Sequence, residues 1–294
     1  MDLEDLSIFR TVAAEEGITR AAALLGRVPS NVTTRVQQLE ADLGVQLFVR
    51  RGKKLIVSTA GAVLLDYASR MLALADHARD VVTGGRAGGS LRIGTMESTA
   101  ASRLPAVLAA FVSGHPETQL EVSTAPSRQL LAQVSSGRLD CAFLALPGPS
   151  DDPASLSEAG LQGSLAWNED LRLLVPARDG AARSVREIKT RVLAGFAQGC
   201  AYRELAERVL GLPSSVEWRV QEMGSYHAMV ASVAAGACVA VLPRSVADMA
   251  NVPQGVNAME LGTKVTWLVW RDGFDVPAFT KFRKTLNEVQ HGKQ

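Results

Sequence analysis

Apolar residues in the first forty-five positions recur at helical spacing. Leu3, Leu6, Phe9, Val12 and Ala13 repeat every three to four residues, which predicts an amphipathic helix ended by Gly17. A second, short helix follows, with Thr19 as its cap, Ala21, Ala22, Leu24 and Leu25 turned inward and Gly26 closing it. After a Gly26-Arg27-Val28 turn, Pro29 suits a first helical position. Val32, Val36, Leu39 and Leu43 then form the stripe of a third helix that stops at Gly44. At 100° per residue these four lie within about 60° of one another. Opposite them fall Ser30, Thr34, Gln37 and Gln38, with Asn31, Thr33 and Arg35 on the flanks. Two β-prone runs, Leu47 to Arg51 and Leu55 to Val57, enclose Gly52-Lys53-Lys54 and predict a hairpin.

From Ala60 to Val82 the helical pattern resumes. Leu64, Tyr67, Met71, Leu74, Ala78 and Val81 alternate spacings of three and four, the seam of a paired helix, and Leu65, Ala68, Leu72, Ala75 and Val82 widen it. Four glycines between Thr83 and Ser90 break the helix and predict a hinge. Beyond it strands and helices alternate, which predicts a parallel α/β sheet with right-handed crossovers. Strands are expected at Leu91–Thr95, Leu120–Thr124 and Leu139–Leu146, with helices through Leu104 to Phe111 and Arg128–Ser136. A second set begins near Leu165, with strands at Leu171–Val175, Arg191–Gly195, Val216–Gln221 and Cys238–Leu242. Its helices are expected at Ala201–Leu210 and Tyr226–Ala235, and a strand at Val265–Trp270 and a helix at Pro277–Val289 end the chain.

Charge changes the picture locally. The 294 residues carry a net +1, yet Ile18–Lys54 holds seven basic residues against Glu40 and Asp42, a net +5. A basic patch on a near-neutral chain is what a phosphate backbone requires, though a solvated basic surface would look the same. The helical wheel adds to it, because a face of short hydrogen-bonding residues almost free of acid suits base edges in a major groove. Two short helices joined by a tight turn make a helix-turn-helix, and the hairpin tip would set Arg50, Arg51, Lys53 and Lys54 near phosphates.

At 47% hydrophobic and 21% charged residues, the composition is that of a core-forming globular chain and excludes collagen-like, disordered and disulfide-scaffold classes. The longest nearly apolar run, Val230 to Leu242, has 13 residues where a membrane span needs about 20. The N-terminus is acidic, without the pattern of a signal peptide. Three distant cysteines, Cys141, Cys200 and Cys238, predict reduced thiols and a cytoplasmic protein.

The stretches LEDLSIFRTVAAEEGITRAAALLG, VTTRVQQLEADLGVQLFVR and KKLIVSTAGAVLL resemble the winged helix-turn-helix of LysR-type transcriptional regulators. They carry the family's small residues in the second helix, the "LE" that closes the third, "LG…LF.R", and a Thr or Ser three residues before Gly. One departure stands out: Val28-Pro29-Ser30 replaces the more usual Ser-Gln-Pro. The resemblance implies base contacts from Pro29, Ser30, Thr33, Thr34 and Gln37, three of which the helical wheel also places opposite the apolar stripe. With the flanking and basic positions, the expected DNA-binding set is Arg20, Pro29, Ser30, Asn31, Thr33, Thr34, Arg35, Gln37, Arg50, Arg51, Lys53 and Lys54. It further implies that the seam Leu64, Tyr67, Met71, Leu74, Ala78 and Val81 pairs with a second copy in a homodimer or a dimer of dimers.

The remainder resembles the effector-binding domain of the same family, which is similar to periplasmic solute-binding proteins. The expected fold is thus α/β overall. A largely helical winged helix-turn-helix (1–60) and a linker helix (61–83) come first. A hinge (84–90) then leads to a two-lobed, type 2 periplasmic-binding-protein-like domain (91–294). On the family pattern the chain crosses near Gly163 and Thr263, giving one lobe of 91–163 and 264–294 and another of 164–263.

In open α/β sheets ligands sit off the carboxyl ends of strands, beside helix N-termini. Those junctions give Met96, Glu97, Ser98 and Thr99, then Pro126 and Ser127, then Ala145, Leu146 and Pro147. In the second set they give Cys200, Ala201, Tyr202 and Arg203, and Gly224, Ser225, Tyr226 and His227. The expected effector set is Glu97, Ser98, Thr99, Pro126, Ser127, Leu146, Cys200, Ala201, Tyr202, Arg203, Gly224, Ser225 and Tyr226. Ser98 and Ser225 would equally serve as plain helix caps, and Arg203 as either a carboxylate clamp or a surface charge. Glu97 is out of place in an anion site and suggests an amine or several donors, so the expected effector is an organic acid or amino-acid-like. Cys200 at a helix start suggests a lowered thiol pKa, but the next cysteine is Cys238, where peroxide-sensing relatives have a near partner.

Enzyme signatures are missing: there is no GxSxG, P-loop or GxGxxG after a strand, and His77, His115, His227 and His291 are scattered. No metal or cofactor is expected. The sequence therefore predicts a DNA-binding regulator answering to a small molecule, with promoter DNA, a second copy and RNA polymerase as partners and no membrane. The alternative, a small-molecule binder or enzyme whose N-terminal helices only mediate assembly, leaves the acid-poor helix face unexplained.

Overall fold

The computed structural model describes residues 1–51, 54–82, 88–148, 151–212 and 217–292, without the side chains of residues 51, 54, 73, 76, 77 and 80–82. Two compact units emerge, one built on Met1–Gly85 and the other on Arg86–Ser135 with Leu139–Gln294.

The first unit runs α1 (Leu3–Glu15), α2 (Ile18–Leu24), α3 (Pro29–Leu43), β1 (Phe48–Arg51), β2 (Lys54–Val57) and α4 (Thr59–Val82). Asp2 and Asp5 close the start of α1 by accepting each other's backbone N–H, at 2.8 and 3.1 Å. The helix ends at Glu16, whose φ of 48° is left-handed, rather than at Gly17. Gly17 instead begins α2: its carbonyl accepts the Ala21 N–H at 3.2 Å, so Thr19 lies inside the helix and caps nothing. Only Ala21 and Ala22 are fully buried there, and their small size brings α2 close to its neighbours. Leu24, expected inward, is 68% exposed, and Leu43 too lies at the surface. Pro29 opens α3 and Gly44, at φ 67°, closes it. Val32, Val36 and Leu39 join Leu6, Ile8, Phe9, Val12, Leu47, Phe48, Ala68 and Leu72 in one core, and the Phe9 and Phe48 rings meet at 5.3 Å. Burying each such large side chain contributes roughly 1.5–3 kcal/mol.

Glu40, the acid of the "LE" pair, accepts the backbone N–H groups of Leu47 (2.7 Å) and Phe48 (3.2 Å), fixing the hairpin to the end of α3. Ser58 donates to the Gln46 carbonyl (2.6 Å) and accepts from Gly61 N–H (2.9 Å), so it caps α4 while binding it to the same segment. At Gly61 the helix backbone passes so near the Leu47 carbonyl oxygen that a methyl group would overlap it. The Ser-x-x-Gly spacing therefore has a local physical cause.

The second unit contains β3 (Ser90–Thr95), α5 (Glu97–Ser102), α6 (Leu104–Gly114), β4 (Gln119–Thr124), α7 (Ser127–Ser135), β5 (Cys141–Ala145) and α8 (Ala154–Glu158). There follow β6 (Leu161–Val175), β7 (Val192–Gly195), α9 (Ala201–Val209), β8 (Arg219–Glu222) and α10 (Tyr226–Ala234). The chain finishes with β9 (Val239–Pro243), α11 (Arg244–Met249), β10 (Asn257–Arg271) and α12 (Pro277–His291). One sheet has the order β4-β3-β5-β10-β6-β9-β7-β8. The pairs β3–β4, β3–β5, β7–β8 and β7–β9 are parallel, whereas β10 runs antiparallel to β5 and β6, and β6 to β9.

The expected strands Leu171–Val175 and Val265–Trp270 are the ends of two 15-residue strands, β6 and β10. Their other halves escaped the pattern because β6 carries the polar run Asn168-Glu169-Asp170, and β10 carries a register shift at Glu260/Gly262, where Gly262 has φ 128°. Residues 161–168 of β6 pair with 265–271 of β10, and Ala166 and Trp167 belong to the core of the first half with Phe111, Phe143 and Phe282. At the other end of β6, residues 171–174 share a ladder with β9. The strand expected at Val216–Gln221 begins at Arg219, with Val216 outside the described residues. The expected hinge falls mostly on residues 83–87, also outside them. Gly88 and Gly89 are anchored in the second unit, their carbonyls accepting from Thr118 Oγ1 and Gln119 N–H, both at 3.0 Å.

Candidate functional site

The reading head is α3 presented from the turn after α2, where Gly26 (φ 62°) turns the chain and Arg27 N–H returns to the Ala22 carbonyl at 2.9 Å. Pro29, Ser30, Asn31, Thr34, Gln37 and Gln38 are exposed and Thr33 is half-buried. The hydroxyls of Thr33 and Thr34 donate to the Pro29 (2.9 Å) and Ser30 (3.0 Å) carbonyls. Thr34 so bonded presents a methyl group and oxygen lone pairs outward, which fits thymine methyls and the amino groups of adenine or cytosine.

The expected cations divide. Arg35 is bound to the start of α1, reaching Asp5 (2.9 Å), Glu4 (3.0 Å) and Asp2 (3.3 Å). Arg27 pairs with Glu4, and Arg20 donates to the Glu15 carbonyl while remaining 65% exposed at its side chain. The net +5 of Ile18–Lys54 is therefore partly offset by Asp2, Glu4 and Asp5, which lie outside that window. Arg50 is exposed. Lys53 and the side chains of Arg51 and Lys54 lie outside the described residues.

Helix α4 has two apolar sides. Ala68 and Leu72 are buried against the first unit's core, with Leu64 and Leu65 partly so. Tyr67, Met71 and Leu74 are exposed, as are Val63 and Ala78. Of the expected seam, then, Leu64 turns partly inward, Tyr67, Met71, Leu74 and Ala78 face out, and the Val81 side chain is outside the described residues.

In the second unit a cavity of about 420 Å³ opens at the carboxyl ends of β3, β4, β7 and β8. Glu97, Ser98, Pro126, Ser127, Cys200, Tyr202, Gly224 and Tyr226 line it. Thr99 is buried in α5, and Leu146 is buried with its carbonyl held by Lys264 Nζ (3.3 Å). Ala201 and Ser225 start α9 and α10 without lining the cavity. Arg203 is turned away as well: it bonds Glu207 (2.7 Å) and the Phe196 carbonyl (2.8 Å) and sits 3.7 Å from Glu222, so it is no free clamp. Sequence reasoning missed Thr124, Ala125, Phe196, Ala197, Glu222 and Met223. Extending the strand-end rule to the last residues of β4 and β8, and to the one or two residues that follow β4, β7 and β8, finds them.

Polar groups on this wall are unusually short of partners. Ser98 Oγ, Ser127 Oγ, the Tyr202 hydroxyl and Glu97 Oε2 are buried and unbonded, although Tyr202 faces Ser98 and Thr266 just outside hydrogen-bond geometry. Burial raises the Glu97 carboxyl pKa, opposed by the charge of His227. Burial likewise raises the Tyr202 and Tyr226 hydroxyls. It also pushes the Cys200 thiol up despite nearby helix amides, the reverse of the lowering expected at a helix start. The two halves meet around the cavity through Arg128 and Glu204 (2.8 Å) and through Arg103, Glu169 and Ser245, with Glu169 accepting from both at 2.7 and 2.9 Å. Among the described residues no group of His, Cys, Asp and Glu could hold a metal ion, and no helix is long and apolar enough to cross a membrane.

Two family models match the chain: "Bacterial regulatory helix-turn-helix protein, lysR family" over residues 3–62 and "LysR substrate binding domain" over residues 84–290. YusT of Bacillus subtilis strain 168, an uncharacterized HTH-type transcriptional regulator, is 32% identical over 99% of this chain and 97% of its own length. The HTH-type transcriptional regulator YofA of the same organism is also 32% identical, over 99% of this chain and all of its own. The crystal structure of full-length CbnR with its target DNA shares the fold, with a TM-score of 0.64 at 21% identity over 98% of this chain and 99% of CbnR.

Proposed function

Since the chain belongs to the LysR family of bacterial helix-turn-helix transcriptional regulators, we propose that it binds promoter DNA through α3 and the β1–β2 hairpin, under control of a small molecule held in the cavity. The observation that carries this reading is the exposed α3 face of Ser30, Asn31, Thr34, Gln37 and Gln38, which holds hydrogen-bonding groups and no acid. In this reading Thr34 and Gln37 read bases, while Arg50 and the basic hairpin tip contact phosphates and set register. Arg35 and Arg27 hold α3 and its turn on α1 instead. CbnR, whose structure includes its target DNA, supports the assignment of the head.

The outward side of α4, with Tyr67, Met71 and Leu74, is the proposed contact with a second copy. Two heads would then address two half-sites, and two dimers a longer operator. The effector acts by favouring one arrangement of the two halves around the cavity, where the Arg128–Glu204 and Arg103–Glu169–Ser245 contacts differ in strength between arrangements. The reading implies a cytoplasmic protein with RNA polymerase as a further partner. Selection of bound fragments from sheared genomic DNA, with footprinting at two salt concentrations, tests the reading. A protected dyad-symmetric site held far above random DNA is expected. Sequence-blind binding that salt abolishes would overturn it.

A further inference from the structure

We propose that the molecule recognised in the cavity carries a cationic amino group on an apolar skeleton, with Glu97 as its counter-charge. The proposal rests on the effector reading above and assigns the ligand class. Among the described residues lining the cavity, the only charged side chains are Glu97 and Glu222. Glu222 is exposed and sits near Arg203, whereas Glu97 keeps a buried oxygen without a partner. Neighbouring cations are engaged elsewhere: Arg203 by Glu207, Arg128 by Glu204 and Arg103 by Glu169. His227 acts on Glu97 through its charge but is exposed and outside the wall.

A carboxylate ligand would meet Glu97 with no cation among the described lining residues to offset the repulsion, His227 standing outside the wall. Two of the helix ends at the cavity are already engaged, for the first-turn amides of α9 face Cys200 Sγ and the Arg128 N–H of α7 donates to the Gly199 carbonyl (3.3 Å). Glu97 is half-buried, and its oxygen left without a partner is unfavourable in the free protein, a cost that an ammonium group removes on binding. The skeleton is set by Met96, Pro126, Met223 and the Phe196–Tyr226 pair, whose rings meet edge-on at 4.8 Å. Such rings also accept a cation over their faces. The hydroxyls of Ser98, Ser127 and Tyr202 add neutral hydrogen bonds.

The test uses the full chain and three probes sharing one skeleton: 2-phenylethylamine, 2-phenylethanol and 3-phenylpropanoate, titrated calorimetrically. For the wild-type chain we expect the amine to bind at least tenfold more tightly than the alcohol, and the acid not to bind. In Glu97→Gln the amine should fall to the level of the alcohol, and Glu97→Asp should restore part of its preference. Acid binding equal to that of the amine, an amine preference that survives Glu97→Gln, or no binding by any of the three would each overturn the proposal. Operator footprinting by the wild-type chain reports on the regulator reading separately, so the two can fail independently.

Discussion

Around α3, Arg35 meets Asp2, Glu4 and Asp5 and Arg27 meets Glu4, so much of the charge beside the recognition surface is balanced within the chain. Around the cavity, a carboxylate oxygen of Glu97 and the Ser127 hydroxyl are buried without a hydrogen bond, and the Ser98 and Tyr202 hydroxyls face only each other, Tyr226 and Thr266 at poor geometry. Partly exposed ion pairs contribute roughly 0.2–1 kcal/mol each, and their main effect is geometric. A buried polar group left unsatisfied costs about 1–3 kcal/mol. The first region thus spends its polar groups on holding a surface still, and the second keeps them unspent for a partner. DNA brings its own dense charge, so a reading head needs shape first. A small ligand brings few groups, so its site must supply their complements.

The largest expected effect tests how firmly the head is held. Gly61→Ala forces a methyl group onto the Leu47 carbonyl and should cost about 3 kcal/mol in the denaturant-induced unfolding of the first unit. An unchanged midpoint would mean that this approach is not what fixes α4 to the hairpin. Next comes recognition. Thr34→Ala should lose about 1–3 kcal/mol for the cognate site and little for random DNA. Arg50→Ala should weaken both and flatten the dependence of log affinity on log salt by about one. Equal losses for both DNAs with Thr34→Ala would remove that residue from the reading surface.

Arg35→Gln sharpens the contrast further, since it should lower first-unit stability by about 1 kcal/mol while leaving the salt slope of DNA binding unchanged. A shallower slope would make Arg35 a phosphate contact. The smallest effect belongs to the cavity. Because burial raises the folded pKa of Glu97, its ionised form destabilises the free protein at neutral pH. That cost disappears as pH falls below the unfolded value. Glu97→Gln should therefore raise the thermal midpoint by about 1–2 °C at neutral pH, and the gain should vanish in acid. A lowered midpoint at neutral pH would show Glu97 to be well satisfied in the free chain.

The head was readable because its information is local. One helix carries its buried stripe and its exposed face at 3.6-residue spacing, and Glu40, Ser58 and Gly61 act on a segment within fourteen positions of them. The partners of Arg35 were not, since Asp2, Glu4 and Asp5 lie some thirty positions off and only the packing of α3 on α1 brings them near. The cavity draws on four strand ends. The rule that ligands sit at such ends found Glu97, Ser127 and Tyr202. It also covers Phe196, missed although it directly follows the expected end of β7, while Met223 needed the observed end of β8 at Glu222. The i,i+4 spacing of Arg203 and Glu207 in an expected helix signals their pairing, whereas the second anchor of Arg203, the Phe196 carbonyl, shows only in the structure. The length of β6 and β10 was hidden by polar and glycine-containing stretches that read as loops until paired.

Those two strands carry a mechanical consequence. β6 and β10 pair along their whole length through two register shifts, each belonging at one end to the first half and at the other to the second. A joint of loose loops would let the halves swing freely. A joint of paired strands behaves as a leaf spring, which yields by twisting and returns. On the effector reading proposed above, a molecule held in the cavity would twist that spring, and its release would return the unit to rest.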